Sequence, residues 1–331
     1  MKALIPAAGV GTRLRPHTHT IPKALLPVAG KPIMGHIVDD LMAAGIDEVC
    51  FVTGYMGDQI REWAEGRYRI PLHWIHQRER LGLGHAILTA AEAIRGEPVL
   101  IVLGDTLFEA DLPSVLKRPD NSLGVMTVED PSRFGVVIVE GEKVVRLVEK
   151  PAEPISHLAI AGLYMIRDTD LLLSCLERMV AEDLRTRGEY QLTDALAMMM
   201  EQGAVFRTFP LKSWFDCGLP ETVLETNRRL LERDARVPAV DAPAEHPGSI
   251  IIPPVHLAEG VVIEQSVVGP WVTLDEGAII RGSVIRNAII GRRARVEKSI
   301  LDGSLIGDHA VVIGRPMSLN VGDSSEINLS C

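Results

Sequence analysis

Short apolar runs alternate with amphipathic stretches over residues 1–235, and that alternation predicts an α/β domain with a largely parallel sheet. The runs at residues 3–6, 49–53, 72–75, 99–103, 123–128 and 136–139 are brief and continuous, as buried strands require. Between them Ile37, Val38, Leu41 and Met42 recur at helical spacing, as do Ala86, Ile87, Ala90, Ala91 and Ile94. Helices of this kind would cover both faces of the sheet.

Residues 236–249, RVPAVDAPAEHPGS, carry no apolar period and are rich in Pro and Ala, so they read as a linker. A different grammar fills residues 250–331. A small or aliphatic residue stands two places before an aliphatic one, as in Val255/Leu257, Val261/Ile263, Ser266/Val268, Val272/Leu274, Ala278/Ile280 and Ser283/Ile285. The pairs continue through Ala288/Ile290, Ala294/Val296, Ser299/Leu301 and Ser304/Ile306 to Ala310/Val312. No helix keeps so short a period on one face, and hairpins show turn signals at longer intervals. Hexapeptide repeats build parallel β-helices, here about three to four coils at roughly eighteen residues each.

A chain of 331 residues, 47% of them hydrophobic, can bury one large core and a smaller one. The net charge of -10 leaves no basic face for nucleic acid, although a few cations and backbone amides can still bind a small phosphate ligand. Cys50, Cys175, Cys217 and Cys331 are scattered without the spacing of a zinc site or disulfide framework. Reduced thiols, an N-terminus that enters a glycine loop at once, and no bilayer-length apolar stretch together predict a cytoplasmic protein with no membrane partner.

Candidate chemistry begins where the first strand runs into Ala7-Ala8-Gly9-Val10-Gly11-Thr12-Arg13. Small residues there let backbone amides approach anionic oxygens, and Arg13, Lys23 and Lys31 add cations. A Gly-x-Gly turn alone fits a dinucleotide fold or a plain tight turn. The third glycine of the dinucleotide fingerprint is missing, however, and no Gly-Lys-Ser/Thr closes a P-loop. Gly104-Asp105 directly follows an apolar run, which sets a carboxylate at the end of a strand where open α/β sheets bind ligands. Asp216, inside Trp214-Phe215-Asp216-Cys217-Gly218, is a second isolated carboxylate. Either one alone reads equally as a turn residue or a ligand.

Residues 6–33, PAAGVGTRLRPHTHTIPKALLPVAGKPI, strongly resemble the signature of the sugar-phosphate nucleotidyltransferases, with Gly-x-Gly-Thr-Arg-Leu, Pro-Lys and Lys-Pro-Ile in order. Similar enzymes make dTDP-glucose, UDP-glucose and related donors. The resemblance implies that Ala8, Gly9, Gly11, Thr12 and Arg13 hold a triphosphate, and that Arg13 and Lys23 offset charge on the departing pyrophosphate. Gln77, Gly82 and the run Leu83-Gly84-His85-Ala86 resemble the segment that reads a pyrimidine edge; His85 alone reads as a helix-surface residue without a catalytic role. Asp105 and Asp216 would share a magnesium ion, and Cys217, where the family often has Thr, reads as a buried thiol.

Matches to the sugar-phosphate site are Phe134-Gly135-Val136, Glu149-Lys150-Pro151, Ala161-Gly162-Leu163-Tyr164 and Arg187-Gly188-Glu189. They imply Lys150 and Arg187 as phosphate clamps, Glu149 as acceptor for a sugar hydroxyl, Gly135 as a backbone contact, and Tyr164 as a contact or a core residue. The implied catalytic set is therefore Arg13, Lys23, Asp105, Lys150 and Asp216. Expected substrates are dTTP or UTP with glucose 1-phosphate, then a guanine nucleotide with mannose 1-phosphate. For the coils the resemblance implies a left-handed β-helix, and stacked coils leave faces on which a homo-oligomer would form. Two rivals remain at this level: a catalytically silent relative with a regulatory β-helix, and a bifunctional acyltransferase using His256 or His309 as base.

Overall fold

The computed structural model describes residues 1–234 and 246–314. Linker residues 236–245 and the chain beyond Gly314, with Cys331, lie outside the described residues. Packing divides the chain into a first unit, Met1–Thr226, and a second that begins at Asn227.

A nine-stranded sheet organises the first unit. Its order is Leu72–His76, Glu48–Thr53, Lys2–Ala7, Val99–Val102, Leu158–Ile166, Asn121–Thr127, Phe206–Pro210, Lys143–Glu149, Gly135–Glu140. The first four strands run parallel. Beyond them the sheet is mixed: Leu158–Ile166 is antiparallel to both its neighbours, and Gly135–Glu140 and Lys143–Glu149 form an antiparallel hairpin. The largely parallel sheet expected from the apolar runs is thus corrected to a mixed one. Continuous apolar runs report burial on both faces but not strand direction, and only Gly141 and Glu142 separate the hairpin strands, far too few residues for a crossover.

Lys2–Ala7 lies in the middle of the parallel half, between Glu48–Thr53 and Val99–Val102, so its carboxyl end opens onto a crevice formed by three strand ends. The core against this sheet joins Leu4, Val52, Ile101 and Leu123 to Ile87, Leu172, Leu176, Leu196 and Met199 from the helices Leu83–Thr89, Thr169–Ala181 and Leu192–Glu201. Helix Ile33–Ala43 buries Ile33, Met34, Ile37, Val38 and Leu41, whereas Met42, assigned to the same face by spacing, is 38% exposed at the helix end. Leu72–His76 is an edge strand and only half-buried, which explains why residues 72–75 are less enclosed than their apolar run suggests.

The second unit stacks short parallel strands in register. Ile263, Ile280, Val296 and Val312 form one column, Val268, Ile285 and Leu301 another, and Leu274 and Ile290 a third. Successive rungs lie 17 or 16 residues apart, slightly fewer than the roughly eighteen expected, because the turns are shortened. A serine column solves the polar problem inside this stack. The backbone N–H groups of Ser266, Ser283 and Ser299 each donate, at 3.1 Å, to the hydroxyl oxygen of the serine one coil earlier. Each of these three hydroxyls in turn donates to the carbonyl two residues before it. A buried hydroxyl that both accepts and donates incurs little penalty, so a small polar residue fits where an aliphatic one was the rule. His309 occupies the left-handed turn position that Gly260, Gly277 and Arg293 occupy on the preceding coils.

Candidate active site

Past the strand Lys2–Ala7 the chain turns through Ala8, Gly9 and Gly11 into a 3-10 turn, Thr12–Leu14. Gly11 has φ +66°, and a Cβ there would press on Thr18 Cγ2 at 3.0 Å and Lys23 Cβ at 3.1 Å. Its carbonyl accepts from Leu14 N at 2.9 Å and Thr18 Oγ1 at 2.7 Å, which fixes the loop's return. The loop forms one wall of a cavity of about 520 Å3 at the carboxyl end of the sheet. Of the residues implied by sequence to hold a nucleotide, Ala8, Gly9, Gly11, Thr12, Gln77, Gly82 and Asp105 line this cavity together with Lys23. Arg13 does not line it. Arg80 and Glu189 do, and sequence reasoning gave neither of them a role.

Asp105 follows the strand Val99–Val102, and Lys23, a buried lysine, donates to its Oδ2 at 2.5 Å. Asp216 arrives from a second direction. Its strand Ser213–Asp216 pairs antiparallel with Thr106–Glu109, opposing Asp216 to Thr106, and Cys217 N donates to the Asp105 carbonyl at 3.1 Å. Burial and the neighbouring Asp105 charge push the Asp216 carboxyl above its ordinary value, against the opposing pull of Lys23, Arg133 and Arg13. Arg133 Nη2 stands 3.4 Å from Asp216 Oδ2. A Cβ on Gly218 would meet Asp216 Oδ1 at 2.9 Å and Arg13 Nη2 at 3.2 Å, so Arg13, outside the cavity wall, ends near the same glycine as this carboxylate. Cys217 is a buried thiol pushed up to about 12, chiefly by burial, and is inert at neutral pH.

Two adjacent carboxylates call for positive charge. Hard oxygen donors, two in number, suit magnesium, which takes one or two protein carboxylates and completes its shell with phosphate and water. No group of three or more His, Cys, Asp or Glu side chains able to cage a metal occurs among the described residues.

A second cluster collects the residues implied to hold the sugar phosphate. The hairpin register sets Glu149 opposite Gly135, and Lys150 Nζ lies 3.1 Å from Glu149 Oε1. Only 8% of the Glu149 side chain is exposed, so this is no solvated surface pair. Arg187 Nη2 donates to the Lys150 carbonyl at 2.9 Å. Both Lys150 (φ +43°) and Arg187 (φ +53°) hold left-handed backbone, a costly conformation for such side chains that tends to mark functional positions. Tyr164 belongs to the core, and burial, with Glu149 and Asp105 nearby, pushes its phenol well above the ordinary range. Glu149 and Asp105, one from each cluster, thus both act on the Tyr164 phenol. Phe134 packs edge-on against Trp214 at 4.8 Å.

Sequence reasoning also missed Thr193 and Asp194 at the start of helix Leu192–Glu201. Thr193 Oγ1 would be 2.6 Å from a Cβ on Gly135, and burial raises the Asp194 carboxyl beside Glu149 and Lys150. Their signal was slight: polar residues in the first turn of an apolar helix read as caps.

Residues 2–233 match the nucleotidyl transferase family. The chain belongs to that family. Residues 243–321 of the transferase match the GlmU-like C-terminal hexapeptide family. It is 32% identical to a glucose-1-phosphate thymidylyltransferase of Streptomyces griseus, with 100% of both chains covered. It is 35% identical to a UTP–glucose-1-phosphate uridylyltransferase of Haloferax volcanii, over 70% of this chain and 97% of that protein. A solved structure of apo UDP-glucose pyrophosphorylase matches with a TM-score of 0.62 and 28% identity, over 70% of this chain and 98% of that one. No helix among the described residues is long and apolar enough to cross a membrane.

Proposed function

We propose that this transferase moves a nucleoside monophosphate from dTTP or UTP to glucose 1-phosphate, releasing pyrophosphate. The observation that carries this reading is the cavity lined by the glycine loop, Lys23, Gln77 and Asp105, with Asp216 beside Asp105. A phosphate oxygen of the sugar attacks the α-phosphorus; the new P–O bond forms as the α–β bridging bond breaks and pyrophosphate leaves with the electron pair. That oxygen is already ionised near neutral pH, so no general base is needed.

Repulsion between two anions is the obstacle. Lys150 and Arg187 orient the sugar phosphate, which converts an encounter into a positioned attack. Amides of the loop at Gly9 and Gly11 hold the triphosphate, while Arg13 and Lys23 meet the charge that grows on the leaving group. Asp105 and Asp216 would hold magnesium, which when bound would supply positive charge to offset the repulsion between the two anions. Glu149 accepts from a sugar hydroxyl.

We read residues 1–235 as the catalytic domain and the coils that follow as a left-handed β-helix through which copies of the chain associate. The protein is read as cytoplasmic. Incubating the purified chain with magnesium and a grid of triphosphates and sugar 1-phosphates, with pyrophosphate release as readout, tests the assignment. Highest kcat/KM with dTTP or UTP and glucose 1-phosphate is expected. Preference for GTP with mannose 1-phosphate would replace the substrates; no pyrophosphate with any pair would sink the enzymatic reading. Acetyl-CoA binding by calorimetry checks the bifunctional alternative in the same preparation.

A further inference from the structure

Gln77 is buried in the cavity wall, and its carboxamide meets two groups. Nε2 stands 3.3 Å from the Gly82 carbonyl oxygen and 3.0 Å from His85 Nδ1. A carbonyl oxygen can only accept, so the end of the amide that faces it is the NH2 and not the oxygen. The same NH2 donates to His85, whose Nδ1 offers its lone pair while the ring hydrogen sits on Nε2. Both amide hydrogens are thereby committed on one side, and Oε1 is what Gln77 can offer a ligand in the cavity.

The supporting segment is itself tied down. Gly84 N donates to the Tyr190 carbonyl and Tyr190 N to the Leu81 carbonyl, both at 2.8 Å, and the His85 ring lies 6.5 Å from the Tyr190 ring. Residues 81–85 therefore present the Gly82 carbonyl and the imidazole as a fixed pair of acceptors.

We propose that His85 is a positioning residue which, with the Gly82 carbonyl, holds the Gln77 carboxamide oxygen toward the base. The cavity then accepts a base that donates N–H from its pairing edge and rejects one that presents a bare ring nitrogen. Uracil and thymine donate N3–H. Cytosine turns the lone pair of N3 toward the amide oxygen, and two acceptors facing each other in a buried site leave both unsatisfied. The inference rests on the reading of this cavity as the nucleotide site, and it gives His85 no contact with either substrate.

The test compares kcat/KM for UTP against CTP, and dTTP against dCTP, in the unsubstituted chain, His85→Leu and His85→Asn, with melting temperatures alongside. Leucine removes the acceptor; asparagine can return an amide oxygen close to where Nδ1 lies. The leucine variant is expected to lower the UTP:CTP ratio by about three- to tenfold, the worth of one hydrogen bond, through a higher KM for UTP and with little change in KM for the sugar phosphate. Asparagine is expected to restore most of the ratio. An active leucine variant that keeps the original ratio overturns the proposal, as does an equal loss with both nucleotides that asparagine fails to repair. Turnover of no triphosphate by the unsubstituted chain would instead overturn the nucleotide-site reading beneath it.

Discussion

In the coil unit, Ile280 stacks in register on Ile263 and Val296, one coil before and one coil after it. In the nucleotidyl transferase unit, Asp105 meets Lys23 from 82 residues upstream, and its carbonyl accepts from Cys217 N, carried on the far side of half the sheet's strands. One region repeats a local rule, and each rung answers only to its neighbours. The other assembles a few groups from segments that have no reason to meet except the site itself. Damage should therefore read out differently: as lost stability in the coils, and as lost turnover with an intact fold around Asp105.

The sharpest way to break that contrast is Asp105→Asn. It keeps shape and removes the charge that a magnesium ion needs, so turnover should fall by several orders of magnitude with circular dichroism unchanged. The melting temperature reports two opposed changes: relief of the repulsion that pushes the Asp216 carboxyl upward, and loss of the charged partner of buried Lys23. Wild-type turnover in this variant would end the metal assignment. Next in size is Gly218→Ala. One methyl must fit 2.9 Å from Asp216 Oδ1 and 3.2 Å from Arg13 Nη2, so it displaces a carboxylate and a guanidinium without touching the core. Displacement by a full ångström at a reacting centre costs about a hundredfold in rate, and these side-chain ends need to yield by only about half that, so steady-state kcat should drop by about tenfold with circular dichroism unchanged. Full activity would show that Asp216 and Arg13 tolerate movement.

Legibility in the sequence follows the same divide. Repeat length and the aliphatic columns of the coils could be read directly, since the partner of each residue lies at a fixed offset; only the shortened turns escaped. In the first unit the glycine loop and Asp105 were legible because each follows an apolar strand run, whereas Gln77 was reached only through the family resemblance. Sheet direction beyond Val99–Val102 was not, because apolar runs look alike whichever way they point. Arg80, Arg133 and Asp194 escaped for another reason: isolated charged residues in polar surroundings carry no local mark, and only long-range packing puts them beside the site. His85 shows the limit most clearly, as a helix position whose importance depends on the Gln77 amide eight residues earlier.

Ile280→Ala moves the comparison to the coils. The side chain is fully buried between two others of its column, so truncation should cost about 2–5 kcal/mol of coil stability. Thermal unfolding would register this as an earlier transition, and kcat below that transition should stay at the unsubstituted value. A parallel loss of kcat would show that the site depends on the coils after all.

The smallest effect is expected at the serine column, and it tests whether polar satisfaction or mere small size selects serine there. Ser283→Ala keeps the volume nearly unchanged but leaves Ser299 N without the acceptor it has at 3.1 Å, whereas the Arg281 carbonyl loses the hydroxyl donor at 2.8 Å but keeps Lys298 N at 2.9 Å. Stranding a buried backbone group costs about 1–3 kcal/mol. Ser304→Ala is the control, since its hydroxyl donates to the Asp302 carbonyl at an exposed position and its loss should cost within about 0.5 kcal/mol. Equal melting temperatures for the two variants would mean that small size alone selects the residue, and that the hydroxyl column contributes nothing to how one coil recognises the next.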